Sequence, residues 1–201
     1  GVIDAVGEGV SRLRIGERVW LWNAQWRRAG GTCAEWCCVP GELACPLPRG
    51  VAFEAGACMG IPAMTAHRAI FSNGKVAGKT ILVTGGAGAV GHYAVQIAKW
   101  GGARVIATIS SEYKAALARA AGADDIIDYR REDVAARVRE LTGGAGVDHI
   151  VEVDFGANIQ TSAKVLKPNG TPRNSSSVAV ETRSSARRGR NAAPSERRWR
   201  G

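Results

Sequence analysis

The sequence predicts an α/β fold, a doubly wound parallel sheet preceded by a smaller β-rich domain. The first observation is an apolar run at 80–84 that leads directly into a glycine-rich turn and then into a segment with apolar residues at helical spacing. The second is that, from Lys79 onward, short apolar runs alternate with helical segments of about ten residues, a pattern typical of βαβ units. Before residue 60, short strand candidates are separated by glycine-bearing turns instead.

The first sixty residues supply few long periodic segments. Strands are predicted at 1–6, 18–22 and 34–39, and Cys37 and Cys38 are expected to pack within the last of these. A helix is predicted at 54–71. Because Gly60 and Pro62 interrupt it, we expect a kink or a break there.

The second part has clearer periodicity. Strands are predicted at 80–84, 104–108, 125–129 and 148–153, and helices at 88–100, 112–121, 132–141 and 156–167. A turn is expected at 167–170, and the polar run that follows it (TPRNSSS, 171–177) does not resemble an apolar strand. The sequence therefore predicts a truncated sheet of four strands. Because the fourth strand would have an unpaired edge, we expect the protein to aggregate or to be inactive.

The glycine-rich turn has the spacing G-x-x-G-x-x-G. Glycines between a strand and a helix let the backbone approach a pyrophosphate, which the helix N-terminus attracts. The residues that we expect to contact such a ligand are Gly85, Ala87, Gly88, Ala89, Val90 and Gly91. The alternative is a tight strand-to-helix turn that binds no ligand.

The net charge of +9 is concentrated near the end of the sequence. Residues 171–201 contain eight arginines and two glutamates, a net charge of +6, which leaves +3 for residues 1–170. We predict that residues 173–201 form an Arg/Ser-rich, disordered tail, because this composition buries too little apolar area to offset the entropy of ordering. With Trp199 as its single aromatic residue, the tail could bind RNA only non-specifically.

The five cysteines indicate reduced thiols rather than a disulfide framework, because their number is odd and the chain is long. Their positions are 33, 37, 38, 45 and 58, which is not the regular spacing of a structural zinc site, so no metal is expected. No signal peptide and no apolar run of membrane-spanning length is visible. These features predict a cytoplasmic protein without a membrane segment.

Three motifs resemble one known family. The runs at 7–19 (GEGVSRLRIGERV), 56–67 (GACMGIPAMTAH) and 83–91 (VTGGAGAVG) are similar to medium-chain dehydrogenases/reductases of the zinc-independent quinone oxidoreductase, or zeta-crystallin-like, branch. The resemblance implies a partial GroES-like catalytic domain at 1–60 and an NADP-binding Rossmann domain at 61–172. It also implies that the opening part of the first domain and the last strands of the second are absent. The family's homodimer is expected, although its usual interface segment is absent as well.

The end of the second predicted strand bears on the choice of cofactor. NAD-binding proteins usually carry Asp or Glu there, whereas this sequence reads Thr108-Ile-Ser-Ser111. Ser110 and Ser111 could donate to a 2′-phosphate and Lys114 could add charge, which favours NADPH. The alternative is that the serines only cap the next helix and that Lys114 is a solvated charge.

Other site residues come from the resemblance alone. It implies that Tyr129 lies beside the same phosphate, Thr65 near the nicotinamide and Asn158 near the adenosine. Each could equally be a structural hydrogen-bonding residue. Asn23 and Trp26 are candidates for the substrate pocket, although tryptophans in this region could instead be core and loop anchors. No catalytic residue stands out.

The resemblance implies an oxidoreductase that transfers hydride from NADPH to a quinone without zinc. One alternative is an NADPH-dependent reductase of activated C=C bonds, such as enals or enoyl thioesters, on the same scaffold. A second alternative is a non-catalytic protein, either crystallin-like or RNA-binding. The chemistry itself would belong to the cofactor, so the residues do not separate a quinone from an activated double bond.

Overall fold

The structure, a computed structural model, describes residues 1–174. The chain divides into two compact units, Gly1–His67 and a second unit that begins at Arg68. The predicted limits of the two domains remain predictions. Within the described residues, no helix combines the length and the apolar composition needed to cross a membrane.

The first unit is built around two short antiparallel strands, β1 (Val19–Leu21) and β2 (Ala44–Pro46). Leu13, Val19 and Ala44 form its small buried core. A 3₁₀ turn at Gly41–Leu43 leads into β2. Other buried apolar residues of this unit are Ala24, Leu47 and Ala66.

Two strand predictions in this unit are wrong in whole or in part. The segment 1–6 forms only an isolated bridge from Val2 to Arg18, and the segment 34–39 forms no strand. Cys37 and Cys38 are exposed rather than packed in a sheet, and Trp36 keeps 73% of its surface exposed. Alternating apolar residues need a partner strand to become a strand, and none of the described residues supplies one here.

The helix α1 extends over Phe53–Phe71. Its residue Gly60 has φ −32° and ψ −111°, which lie outside helical values. The predicted kink is therefore confirmed, and it falls two residues before Pro62, whose ring cannot coexist with a regular preceding turn.

The second unit alternates strands and helices. Its strands are β3 (Thr80–Val83), β4 (Arg104–Ile109), β5 (Asp125–Asp128), β6 (Val147–Glu152) and β7 (Leu166–Asn174). Its helices are α2 (Ala89–Trp100), α3 (Glu112–Ala120), α4 (Val134–Leu141) and α5 (Phe155–Val165). The strands form one parallel sheet in the order β5-β4-β3-β6-β7, which confirms the predicted fold class.

The middle strands are buried because helices cover the sheet. Ile81, Leu82 and Val83 of β3 keep at most 1% of their surface exposed. One apolar cluster joins strands β3 to β6 with helices α4 and α5, through Leu82, Ile106, Ile127, Val138, Val147, Ile150 and Val165. Strands buried on both faces have nearly continuous apolar runs, which is why their positions were predictable.

The strand β7 contradicts the expected open edge of β6. It pairs in parallel with β6, from Val147 opposite Leu166 to Glu152 opposite Asn174. The predicted turn at 167–170 is an irregularity within this strand, where Asn169 adopts φ +64°. An edge strand needs backbone partners on one side only and tolerates proline, so its polar sequence did not prevent pairing.

This pairing also moves the predicted start of the tail. Arg173 and Asn174 belong to β7, so the tail prediction is wrong for these two residues. The remainder, 175–201, lies outside the described residues. The predicted aggregation and inactivity of the chain remain untested, but their stated cause, an uncovered edge of β6, is absent from the structure.

His149 is a buried titratable group in β6. It keeps 4% of its surface exposed, and its Nε2–H donates to the carbonyl oxygen of Ala69 at 2.9 Å. Burial is the main cause that lowers the pKa of His149 to about 4, and the positive charges of Arg173 and Lys79 act in the same direction. The imidazole is therefore neutral in the folded protein at neutral pH.

We predict that the free energy of unfolding falls between pH 7 and pH 5 because of His149. The unfolded imidazole, with its ordinary pKa near 6.5, binds a proton over this range that the folded one does not, which should cost about 2 kcal/mol. Urea unfolding at both pH values should show this loss in the unmodified chain and much less of it in His149→Asn. His92→Asn is the matched control and should lose as much unfolding free energy between pH 7 and pH 5 as the unmodified chain. An equal loss in all three proteins would contradict the prediction.

Candidate functional site

The glycine-rich turn follows β3 and is fastened to the end of β4. Gly85 has φ +61°, a conformation that favours glycine, and its N–H donates to Thr108 Oγ1 at 3.1 Å. The N–H of Gly86 donates to the Thr108 carbonyl oxygen at 2.9 Å. One residue of β4 thus holds two consecutive residues of the turn.

The motif glycines serve different purposes. A Cβ atom at Gly91 would lie 2.2 Å from the Gly85 carbonyl oxygen, so packing of α2 against the turn requires glycine there. A Cβ at Gly86 would lie 2.7 Å from Ala107 Cβ. Gly88 is exposed, and a Cβ there would lie 3.2 Å from the Gly85 oxygen, which a small shift relieves. Of these positions, Gly88 is the one where packing within the protein is least demanding.

The start of α2 presents backbone donors that have no hydrogen-bond acceptor among residues 1–174. Gly88 is the N-cap residue, and as a glycine it has no side chain that could accept a hydrogen bond from the first turn. The N–H groups of Ala89, Val90 and Gly91 lie in the first turn, where helical geometry provides no acceptor. The other three helices of the sheet are capped by side chains that accept a backbone hydrogen bond: Ser111, Asp133 and Asp154.

These features fit a bound diphosphate. Gly88 and Ala89 are exposed and Ala87 is partly buried, so the donors face an open side of the turn. Backbone N–H groups and the positive end of the helix dipole attract an anion at this position.

The end of β4 and the start of α3 bring together three of the predicted residues. Lys114 Nζ donates to Ser110 Oγ at 3.0 Å, and the Lys114 backbone N–H donates to Ser111 Oγ at 3.4 Å. Ser111 is thus the cap of α3, as the alternative interpretation expected, whereas buried Ser110 is not. The cluster has two hydroxyls, one ammonium and no carboxylate.

Tyr129 follows β5 and lies beside the same end of β4. Its backbone N–H donates to the Ile109 carbonyl oxygen at 3.1 Å. Its side chain is 51% exposed and can therefore reach a ligand at this edge of the sheet. The carboxyl ends of parallel strands are where ligands of such sheets bind.

Glu152 is a residue that the sequence analysis missed. It ends β6 and has no exposed surface, and its Oε1 accepts a hydrogen bond from Asn158 Nδ2 at 2.9 Å. Asn158 lies on α5 and is partly buried, so this predicted site residue is held by the protein itself. An acidic residue directly after the apolar pair Ile150 and Val151 was the available signal.

The predicted substrate residues lie in the first unit. Asn23 and Trp26 line an open cleft of about 850 Å³ within that unit. The backbone N–H of Trp26 donates to the Asn23 carbonyl oxygen at 3.2 Å. Trp22 instead donates its indole N–H to the Glu42 carbonyl oxygen at 3.2 Å, which supports the anchor interpretation for this residue. Thr65 is partly buried on α1.

Metal ligands are not grouped within residues 1–174. No cluster of three or more His, Cys, Asp or Glu residues that could hold an ion occurs there. All five cysteines are free thiols, and Cys45 alone is partly buried. The prediction that the protein works without zinc stays a prediction.

Comparisons with known proteins agree on one family. A family described as zinc-binding dehydrogenase matches residues 89–180. The quinone oxidoreductase of Rattus norvegicus is 33% identical over 171 residues, which are 85% of this chain and 51% of the rat protein.

Solved structures give the same result. A quinone oxidoreductase of Pseudomonas syringae pv. Tomato DC3000 superposes with a TM-score of 0.77 and 35% identity, over 86% of this chain and 52% of that one. The Escherichia coli quinone oxidoreductase complexed with NADPH gives a TM-score of 0.71 and 26% identity, over 86% and 52%.

The chain spans about half the length of the relatives it matches. Sequence and topology lead to the same assignment, and the resemblance seen in the sequence is confirmed. Over 85% of its length, this chain is similar to the quinone oxidoreductases of the medium-chain dehydrogenase/reductase family.

Proposed function

We propose that the protein is an NADPH-dependent oxidoreductase that reduces a quinone by hydride transfer without zinc. The observation that carries this proposal is the cluster of Ser110, Ser111 and Lys114 next to the uncapped start of α2. The start of α2 suits a diphosphate, and the cluster suits an additional phosphate on the ribose. The relative from E. coli, which was solved with NADPH, supports the same cofactor.

The residues that would hold the diphosphate are those of the turn and the first turn of α2. The six residues are Gly85, Ala87, Gly88, Ala89, Val90 and Gly91. The first-turn N–H groups of Ala89, Val90 and Gly91 donate to phosphate oxygens, and the helix dipole adds a favourable field. The N–H groups of Gly85 and Gly88 already donate to Thr108 Oγ1 and to the Gly85 carbonyl oxygen, so these two glycines contribute close approach of the backbone instead.

The residues that would select NADPH lie at the ends of β4 and β5. A doubly charged 2′-phosphate gains charge-assisted hydrogen bonds from Lys114 and the serine hydroxyls. A carboxylate at this position would repel it, and neither Ser110 nor Ser111 is acidic. Tyr129 adds a hydroxyl on the neighbouring strand end.

NADPH supplies the hydride when bound, so the protein needs to orient the reactants and exclude water rather than provide a nucleophile. Asn23 could hydrogen-bond an acceptor oxygen, and the Trp26 ring could stack on a flat electron-poor molecule. Thr65 is proposed near the nicotinamide. The zinc-free chemistry rests on the branch resemblance and on the irregular cysteine spacing.

The proposed partners and location follow from the same reasoning. The substrate is a quinone or a similar electrophile, and a homodimer is the proposed assembly. Five unpaired thiols, four of them exposed, suit a reducing compartment such as the cytoplasm.

A substitution at Gly88 tests whether the turn binds the diphosphate. We expect Gly88→Val to weaken NADPH binding at least tenfold, because the branched side chain occupies the phosphate space, while the unfolding midpoint changes little. Fluorescence titration with NADPH measures the first quantity and urea unfolding the second. Gly91→Ala is the contrasting variant and should instead lose the fold, since its Cβ meets a backbone oxygen. Unchanged NADPH affinity in Gly88→Val would mean that the turn is only structural.

A charge substitution on α3 tests cofactor selection. We expect Lys114→Gln to weaken NADPH binding about tenfold and to leave NADH binding unchanged, because only the 2′-phosphate loses a charged partner. Arg119→Gln is the matched control, since Arg119 is an exposed cation of the same helix that pairs with Glu112 at 2.9 Å.

Ser110→Asp should go further and reverse the preference toward NADH through repulsion of the phosphate. Equal affinity of the unmodified chain for both cofactors would refute the proposed selectivity.

An acceptor panel tests the substrate class. With the 201-residue chain and NADPH, we expect oxidation of the cofactor at least tenfold faster with a simple quinone than with an enal or an enoyl thioester of similar size. Faster turnover of the enal or thioester would assign the activated C=C reduction instead. Tight NADPH binding with no oxidation by any acceptor would contradict the enzymatic proposal for this chain.

A further inference from the structure

Glu152 is a buried carboxylate satisfied by four neutral donors. Its Oε1 accepts hydrogen bonds from Thr84 Oγ1 at 2.7 Å, the Asp154 backbone N–H at 2.9 Å and Asn158 Nδ2 at 2.9 Å. Its Oε2 accepts one from Ser162 Oγ at 3.3 Å. No ion pair to Glu152 occurs within residues 1–174. A buried carboxylate is retained only when hydrogen bonds replace its hydration, and this one has them.

The carboxylate determines which way the Asn158 amide faces. An amide can usually be turned over without visible change, so its orientation follows from whether the atom that it meets donates or accepts. The Asp154 backbone N–H, which can only donate, points at the same Oε1 and requires that atom to be an acceptor. Asn158 must therefore direct its NH₂ group inward, which leaves its Oδ1 as the free atom.

That oxygen lies near the proposed cofactor site. Asn158 lies in the first turn of α5, directly after the carboxyl end of β6. No residue among 1–174 donates a hydrogen bond to Asn158 Oδ1. The same Glu152 holds Thr84, the residue before Gly85, so one buried group fixes both the start of the glycine-rich turn and the amide.

We propose that Glu152 is a positioning residue of the cofactor site, which orients Asn158 so that its Oδ1 accepts a hydrogen bond from an N–H or O–H group of the bound dinucleotide. This inference rests on the proposed binding of NADPH. It adds which partner donates the hydrogen bond. Because Glu152 holds the NH₂ group of Asn158, the amide offers only Oδ1 to the ligand and can bind a donor but not an acceptor. Both halves of the dinucleotide carry such donors, namely amino or carboxamide N–H groups and ribose hydroxyls.

The first experiment locates the donor. We expect Asn158→Ala to weaken NADPH binding about tenfold and to weaken one half-ligand equally, either adenosine 2′,5′-bisphosphate or reduced nicotinamide mononucleotide. Loss with the first assigns the donor to the adenosine half, and loss with the second assigns it to the nicotinamide half. Gln160→Ala, an exposed amide on the same helix, is the matched control and should bind all three as the unmodified chain does.

The second experiment tests the role of Glu152. Glu152→Gln keeps an acceptor oxygen toward Asn158 and should bind NADPH within about threefold of the unmodified chain. Glu152→Met removes the acceptor at similar volume and should weaken binding about as much as Asn158→Ala does. The double variant Glu152→Met with Asn158→Ala should bind no more weakly than either single variant, because both changes remove the same oriented oxygen.

Ser162→Ala is the control for a merely structural effect on Glu152. It removes a donor from Glu152 Oε2 only, so it should lower the unfolding midpoint while leaving NADPH affinity unchanged. The inference is overturned if Asn158→Ala binds NADPH normally, if Glu152→Gln loses as much affinity as Asn158→Ala, or if the double variant loses affinity additively. If Glu152→Met fails to fold, Asn158→Ala and Glu152→Gln still decide between these outcomes. Absence of NADPH binding by the unmodified chain would refute the proposed function instead.

Discussion

The close contact between α2 and the glycine-rich turn is the constraint on which the candidate site depends. The space for a Cβ at Gly91 is already taken by the Gly85 carbonyl oxygen, 2.2 Å away. Because the helix packs directly on the turn, its first N–H groups lie at the carboxyl end of β3, at the middle of the sheet. Thr108 of β4 holds the turn from the other side through two hydrogen bonds. The proposed backbone anion site is thus positioned by packing, with no side chain dedicated to it.

Four of the six buried polar residues described in the second unit lie at the same edge of the sheet. Thr84, Thr108, Ser110 and Glu152 all lie at or just after the carboxyl ends of strands, and each is at most 9% exposed. The strand interiors beside them are apolar, so the hydrogen bonds among these groups are shielded from water. Such a network fixes positions more strictly than exposed contacts could. Glu152 joins Thr84, the residue before the glycine-rich turn, to Asn158, while Thr108 holds the turn and Ser110 accepts a hydrogen bond from Lys114.

Local sequence patterns were sufficient for the central strands and their helices and insufficient at the periphery. Ile81, Leu82 and Val83 are buried on both faces, so composition alone identified β3. The segment 34–39 has a similar apolar content but lacks a neighbouring strand, and it forms none. The strand β7 shows the reverse case, since its polar residues gave no signal and the exposed edge of β6 supplied the partner. Both differences arise because strand formation depends on non-local pairing.

The sequence by itself determined the doubly wound fold, the position of the glycine-rich turn and the hydroxyl and lysine residues that follow β4. These depend on local spacing, which a chain carries before it folds. Only the tertiary structure decided that Lys114 reaches Ser110, that Gly91 rather than Gly88 is required by packing, and that Glu152 lies behind Asn158. Each of these facts depends on the direction of a side chain or on how closely a helix packs against the turn or strand before it. Residue spacing alone does not specify such distances, because packing of helices on the sheet sets them.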